Sequence, residues 1–216
     1  MEKINTGDGS VTFYNREFGD VYHSKSGAKE EAFEKFAKPA LIPYMQIPPK
    51  EIRILDVCFG LGYNSCAAID FVTRHMPDTR LEITGLEIDE DILKKIRDIE
   101  PGFVHYDKIR KATEQALDAE LLKIQIVLGN ALKTVTYFSG FDIVFHDPFS
   151  PKKHPEMWSE EFFESLYSRL KEGGVLLTYS CAGWVRKNLE NAGFIVQDGP
   201  SVGRRAPSTV ALKGKA

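Results

Sequence analysis

The chain has 216 residues, 43% of them hydrophobic and 27% charged, which suffices for one sizeable core and leaves two full-sized domains cramped. Twenty-eight Lys and Arg against 31 Asp and Glu give a formal net charge of −3, so overall positive charge does not hold this protein on nucleic acid. Three cysteines, Cys58, Cys66 and Cys181, form no Cys-x-x-Cys pair; they exclude a disulfide framework and a cysteine zinc site, and predict a metal-free protein of the reducing cytoplasm.

The opening Met1-Glu2-Lys3 lacks the apolar run of a secretory leader, and no window approaches the roughly 18 apolar residues of a membrane span. Residues 12–14 predict a small strand and residues 29–45 a helix broken near Pro39. Together, residues 1–45 read as an N-terminal extension packing on a core formed by residues 46–216. From there, short apolar runs rich in β-branched residues, at 53–58, 81–86, 124–128, 142–145 and 174–179, alternate with amphipathic stretches at 65–74, 90–100, 108–122 and 160–170. This alternation predicts an α/β fold with a mostly parallel sheet and helices on both faces. A helix at 184–192 and strands at 194–197 and 208–212 bring the total to about seven strands. The last two are joined too closely for a crossover helix, so they are expected to run antiparallel.

The first run ends in Asp56-Val57-Cys58-Phe59-Gly60-Leu61-Gly62-Tyr63-Asn64, with a helix directly after it. A strand entering a Gly-x-Gly turn lets the backbone pass close to a bound cofactor that faces the next helix. The second run ends in Glu87-Ile88-Asp89, where a carboxylate can accept hydrogen bonds from both hydroxyls of a ribose. Turn and acid together point to an adenosine-bearing cofactor. A dinucleotide fingerprint would place a third glycine at position 65, where Ser65 stands, so S-adenosylmethionine, which has no phosphates, fits better. The third run ends in Leu128-Gly129-Asn130-Ala131, a turn suited either to meeting an adenine ring or simply to an Asn in turn conformation with its side chain in solvent.

The fourth run leads into His146-Asp147-Pro148-Phe149-Ser150-Pro151. Asp147 is expected at the carboxyl end of its strand, beside the switch in strand order where such sheets bind ligands. There it can take a proton from an amine whose lone pair must be free to accept a methyl group, while Phe149 stacks on a planar base. Because side chains alternate along a strand, His146 should point away from Asp147 and pack. Trp158 and Trp184 read as packing anchors.

The stretch "DPFSPKKHPEMWSEEF" from Asp147 and "GGVLLTYSCAGWVRKNLENAGF" from Gly173 resemble the methyltransferase half of the MnmC family, the bifunctional enzymes that complete 5-methylaminomethyl-2-thiouridine at the tRNA wobble position. The opening "DGSVTFYNREFGDVYHSKSGAKEEAF", with Tyr22, Ser24, Glu30 and Glu31, resembles that family's start, so the likeness spans essentially the whole chain. It implies a class I, Rossmann-like methyltransferase, without the flavin-dependent oxidase half, that moves a methyl group from S-adenosylmethionine to the amine of 5-aminomethyl(-2-thio)uridine. By this resemblance Asp147 is the catalytic base, and Glu31, Asp56, Phe59, Gly60, Gly62, Asn64, Glu87, Ile88, Asn130 and Ala131 hold the cofactor. Three positions depart from the family pattern: Cys58 replaces the first turn glycine, Pro148 a glycine beside the base, and Asn130 an acid.

Charge is segregated along the chain. The segment from Pro151 onward carries a net +3 and the first 150 residues a net −6. Lys152, Lys153, Arg186, Arg204 and Arg205 are expected, with Phe149, to meet the anticodon loop of tRNA. The protein is expected to act as a monomer. Other readings of the residues are an adenine-N6 methyltransferase, whose Asp-Pro-Pro-aromatic pattern is close to Asp-Pro-Phe here, an aminopropyl transferase, and a non-catalytic RNA-binding module on the same fold.

Overall fold

The computed structural model describes residues 1–203 and 205–214. Three short strands, β1 (Glu2–Asn5), β2 (Val11–Asn15) and β3 (Asp20–Val21), form an antiparallel sheet of their own. Val11 and Phe13 of β2 point into the main core. Next comes a helical segment made of α1 (Ala28–Glu31), a wide π-type stretch (Ala32–Ala37) and α2 (Lys38–Leu41), with Pro39 tolerated near the start of α2.

The apolar runs then build an eight-stranded sheet: β4 (Glu51–Val57), β5 (Arg80–Glu87), β6 (Leu117–Asp118), β7 (Leu122–Leu128), β8 (Phe141–His146), β9 (Leu170–Thr178), β10 (Ile195–Asp198) and β11 (Thr209–Leu212). Their order is β10-β11-β9-β8-β4-β5-β7-β6. The pairs among β4, β5, β7, β8 and β9 are parallel, and β11 lies antiparallel between β9 and β10. Chain order reverses between β4 and β8, which places the switch point beside the glycine turn. Alternation along β4 divides its apolar side chains between the two faces. Ile52 and Ile54 join the layer under α1, α2 and α3 (Tyr63–His75), while Leu55 and Val57 join the layer under α7 (Glu160–Arg169) and α8 (Gly183–Asn191).

The seven expected strands are all present, and the sheet has an eighth. The helix expected over 108–122 is α5 (Tyr106–Ala112) and stops short. Beyond it the chain turns so that Leu117 pairs with Ile124, forming β6 antiparallel on β7. In the same way, the stretch at 90–100 divides into α4 (Glu90–Lys95) and a tighter turn at Ile96–Asp98. The remaining helix, α6 (Ala131–Thr134), follows β7. Among the described residues, no helix is long and apolar enough to cross a membrane.

Candidate active site

Beyond β4 the backbone is left-handed at Cys58 (φ 64°), Gly60 (φ 55°) and Gly62 (φ 71°). A methyl group on Gly62 would lie 2.7 Å from the Phe59 ring and 2.8 Å from Ile109, so glycine is required there both by conformation and by space. Phe59 is buried. Its N–H donates to the Leu86 carbonyl at 2.9 Å, and its ring occupies the room left by Gly85, where a methyl group would lie 2.4 Å away. Asp56 lies below the turn, fully buried, with Oδ2 accepting from the Ser65 hydroxyl at 2.6 Å and Oδ1 without a partner among the described residues. Burial pushes its carboxyl up to about 7. The structure therefore places the Asp56 and Phe59 side chains in the floor that shapes the turn rather than on the surface a ligand would meet. Apolar packing against Gly85 and the bond to Ser65 hold them there.

Glu87 ends β5 and is nearly buried. Its Oε2 accepts the Gly60 N–H at 2.7 Å, and its Oε1 accepts the N–H groups of Ile88 and Asp89 at 2.8 Å each. Desolvation raises its pKa against the pull of these three donors. Ile88, 55% exposed, flanks it. Asp89 accepts from the Tyr22 hydroxyl at 2.5 Å and from the Asn15 amide at 3.2 Å, which ties the N-terminal sheet to the site. At the next strand end, Asn130 is exposed and caps α6 by accepting from the Leu132 N–H at 2.9 Å, while Ala131 behind it is buried.

Two adjoining cavities meet at Asp147. The smaller, about 30 Å³, is lined by Cys58, Gly60, Glu87 and Ile88, and the larger, about 230 Å³, by Glu31, Lys35, Tyr179 and Val202. Tyr22, His23, Asp147 and Phe149 line both. Asp147 Oδ2 accepts from the Asn64 amide, in the first turn of α3, at 2.8 Å. Burial, reinforced by the Glu31 charge, raises its carboxyl to about 8. His23 is buried and stacked on Tyr63 (4.6 Å between ring centres), and desolvation lowers its pKa to about 3, so it is a neutral imidazole whose Nδ1 has no partner among the described residues. The ring of Phe149 is already stacked on Phe18 at 4.7 Å, with Tyr22 edge-on at 5.0 Å.

Of the residues assigned to RNA, Lys152 and Lys153 are exposed on the loop after β8, and Arg205 is exposed near the C-terminus. Arg204 lies outside the described residues. Arg186 is engaged within the fold. Its guanidinium pairs with Asp198 at 2.6 Å and donates to Thr209 and to the Ser208 carbonyl, so it braces β10 against β11. His146 packs as expected, edge-on to Trp158 and bonded to the Met157 carbonyl at 2.9 Å. Trp158 is a core anchor, but Trp184 is 47% exposed. It precedes Val185, whose side chain takes the inward face of α8, so the indole turns outward. Sequence reasoning missed Phe18, His23 and Lys35 as site residues. Only the neighbourhood of Tyr22 and Glu31 hinted at them.

Residues 99–214 match the family of S-adenosyl-L-methionine-dependent methyltransferases, slightly more than half of the chain. The chain belongs to that family. The methyltransferase superposes over its full length on the crystal structure of MNMC2 from Aquifex aeolicus, with a TM-score of 0.90 and 34% identity, covering 71% of that chain. It is 32% identical to an uncharacterized protein of Methanocaldococcus jannaschii, over 97% of this chain and 59% of the relative. It is 29% identical to the bifunctional tRNA 5-methylaminomethyl-2-thiouridine biosynthesis protein MnmC of Ectopseudomonas mendocina, over 85% of this chain and 30% of the relative. The methyltransferase thus spans 59% and 30% of the length of these two curated relatives, and it is related to the methyltransferase part of MnmC.

The residues present fit S-adenosylmethionine. Gly60, whose φ of 55° disfavours a side chain, leaves the turn bare facing the Tyr22 and His23 rings, and Glu87 stands at the neighbouring strand tip. His23, whose buried Nδ1 has no partner among the described residues, lines the same cavity. Gly60, Glu87 and Ile88 would hold the adenosine end of the cofactor, which when bound supplies a methyl group on a sulfonium.

Proposed function

We propose that this methyltransferase methylates the exocyclic amine of 5-aminomethyl(-2-thio)uridine at the tRNA wobble position, giving 5-methylaminomethyl(-2-thio)uridine. The observation that carries the reading is Asp147: a carboxylate at the switch point, shared by both cavities, bonded to Asn64 and raised to about 8. An alkylamine arrives mostly protonated. Asp20, which lines the larger cavity, attracts that ammonium. A carboxylate titrating near neutral pH is matched to removing one proton from it, which frees the nitrogen lone pair for the incoming methyl group. The methylated ammonium then releases its second proton to solvent.

Phe149 and Tyr179 flank the base-accepting side, and the Tyr179 hydroxyl holds the loop after β8 through the Pro148 carbonyl at 3.0 Å. Exposed Lys152, Lys153 and Arg205 supply phosphate contacts for the anticodon loop, so binding weakens as salt rises. The relationship to MnmC proteins supports this substrate class.

The test is nucleoside analysis of tRNA bearing aminomethyluridine after incubation with the protein and methyl-labelled S-adenosylmethionine. Label should appear in the methylaminomethyl nucleoside and fall at least ~100-fold with Asp147→Asn. Label in a methylated adenosine would overturn the proposal.

A further inference from the structure

Resting on the cofactor placement above, the smaller cavity has less room than the adenosine end needs. Its volume of about 30 Å³ holds roughly two water molecules, whereas cavities that bind small molecules run to about 300 Å³ or more, so one wall has to yield. The sheet side is fixed, because Glu87 accepts the N–H groups of Gly60, Ile88 and Asp89. Across from it stand the rings of Phe18, Tyr22, His23, Phe149 and His154. Four of these are anchored. Tyr22 is bonded to Asp89, buried His23 is stacked on Tyr63, and His154 Nε2 lies 3.1 Å from Glu156. Phe149 is held through its backbone: the Trp158 indole donates to its carbonyl at 3.0 Å, and the Tyr179 hydroxyl donates to the preceding Pro148 carbonyl.

Phe18 is different. It stands half-buried on the turn 16–19 between β2 and the two-residue β3, and it belongs to neither apolar layer of the core. Its ring rests on Phe149 and on His154, 4.7 and 5.1 Å away between ring centres. Beyond it there is space. Phe18, Ile88 and Asp89 also line a surface basin of about 460 Å³ that Gly60 and Glu87 do not reach, so the ring is the partition between basin and cavity. The turn has a hinge at Asn15, whose side chain accepts the Glu17 and Phe18 N–H groups at 2.9 and 3.2 Å and donates to Asp89 at 3.2 Å. We infer that Phe18 is the gate of the adenosine site: its ring fills the place the nucleoside must take, and the turn swings off Phe149 about Asn15 to merge cavity and basin. A stack of two rings favours the closed form by up to about tenfold, and a ligand admitted only by the open form associates more slowly in proportion.

Binding rates test this without turnover. Surface plasmon resonance on the immobilised protein measures association and release of S-adenosylhomocysteine and of 5′-methylthioadenosine, which has the same nucleoside and thioether without the amino-acid end. Phe18→Ala should speed association of both ligands about tenfold, and Phe18→Tyr, which keeps the stack, should leave it within about twofold of the unaltered protein. A ring that merely touched the bound adenosine would affect release and leave association unchanged. An unchanged association rate in Phe18→Ala, or an effect confined to S-adenosylhomocysteine, overturns the gate. Glu87→Gln should speed release of both ligands. If it alters neither rate, the adenosine placement itself is wrong and the gate falls with it. A Glu87 effect together with unchanged association in Phe18→Ala removes the gate alone.

Discussion

The Asn64 amide sits 2.8 Å from the Asp147 carboxylate and, among the described residues, is the one hydrogen bond that favours its charged form against burial and the Glu31 charge. With the carboxyl at about 8, roughly a tenth is ionised at pH 7, so kcat/KM should rise about tenfold between pH 7 and pH 9. Asn64→Ala removes the bond. Hydrogen bonds to charged groups contribute ~1.5–3 kcal/mol, and because Asp147 opens onto a solvated cleft, the lower end applies, equivalent to about one pH unit. The rising limb should therefore move from about 8 to ~9, with kcat/KM at pH 7 down about tenfold and the value at pH 10 within about threefold of the unaltered protein. Label transfer at saturating cofactor and subsaturating tRNA measures this, and the ratio of variant to unaltered protein cancels the titration of the substrate amine. A uniform loss at every pH, or no limb near 8, would refute the role given to Asp147.

Three further outcomes follow from the turn and its floor. Gly85→Ala drives a methyl group to 2.4 Å from the Phe59 ring; it should cost about 2 kcal/mol by denaturant titration and weaken S-adenosylhomocysteine binding, and an unchanged protein would show the ring to be free to move. Cys58 holds φ 64°, where a side chain costs about 1 kcal/mol, so Cys58→Gly should match or exceed the original stability and Cys58→Val should fall below it in a thermal melt. Asp56 and Asp147 titrate higher folded, about 7 and 8, than unfolded, so the folded state holds more protons and stability falls as pH rises from about 4 to 8. Buried His23 and His146, both lowered to about 3, act with the opposite sign below pH ~6.5, which leaves the decline visible between ~6.5 and 8 and reduced in Asp56→Asn, as urea titrations at two pH values would show.

The parallel strands were legible because each carries a short run rich in β-branched and other apolar residues, largely buried in β4, β5, β8 and the end of β9 and half-buried in β7. Leu117–Asp118 carries no such signal: a two-residue edge strand has no period, and the helical pattern of 108–122 ran straight across it. The glycine turn, Glu87 and Asp147 were readable from spacing, and Asn64 joins Asp147 as a cluster around the switch point. Asp56 and Phe59 share the turn's sequence yet point beneath it, which only the Ser65 bond and the Gly85 gap reveal. Arg186 looked like a phosphate ligand because its partners Asp198, Ser208 and Thr209 lie on strands that only folding brings near. Lys35 was invisible for a different reason: four residues after Glu31 on a helix, it reads as a solvated ion pair.

The π-type stretch Ala32–Ala37 also bears on how this site is inherited. Such a stretch fits about one more residue into a turn than an α-helix does, so deleting one residue within it would close it to ordinary pitch, leave the helix on either side near its present phase and re-aim only the side chains inside the stretch. Glu31 lies before the widening and Phe36, fully buried against Phe145, lies within it. After such a deletion Glu31 would keep its place, while Lys35 and Phe36 could not both keep theirs. In relatives of this chain, the length of this segment and a basic residue at the Lys35 position should therefore be gained or lost as a unit, a pairing that point substitution alone does not produce.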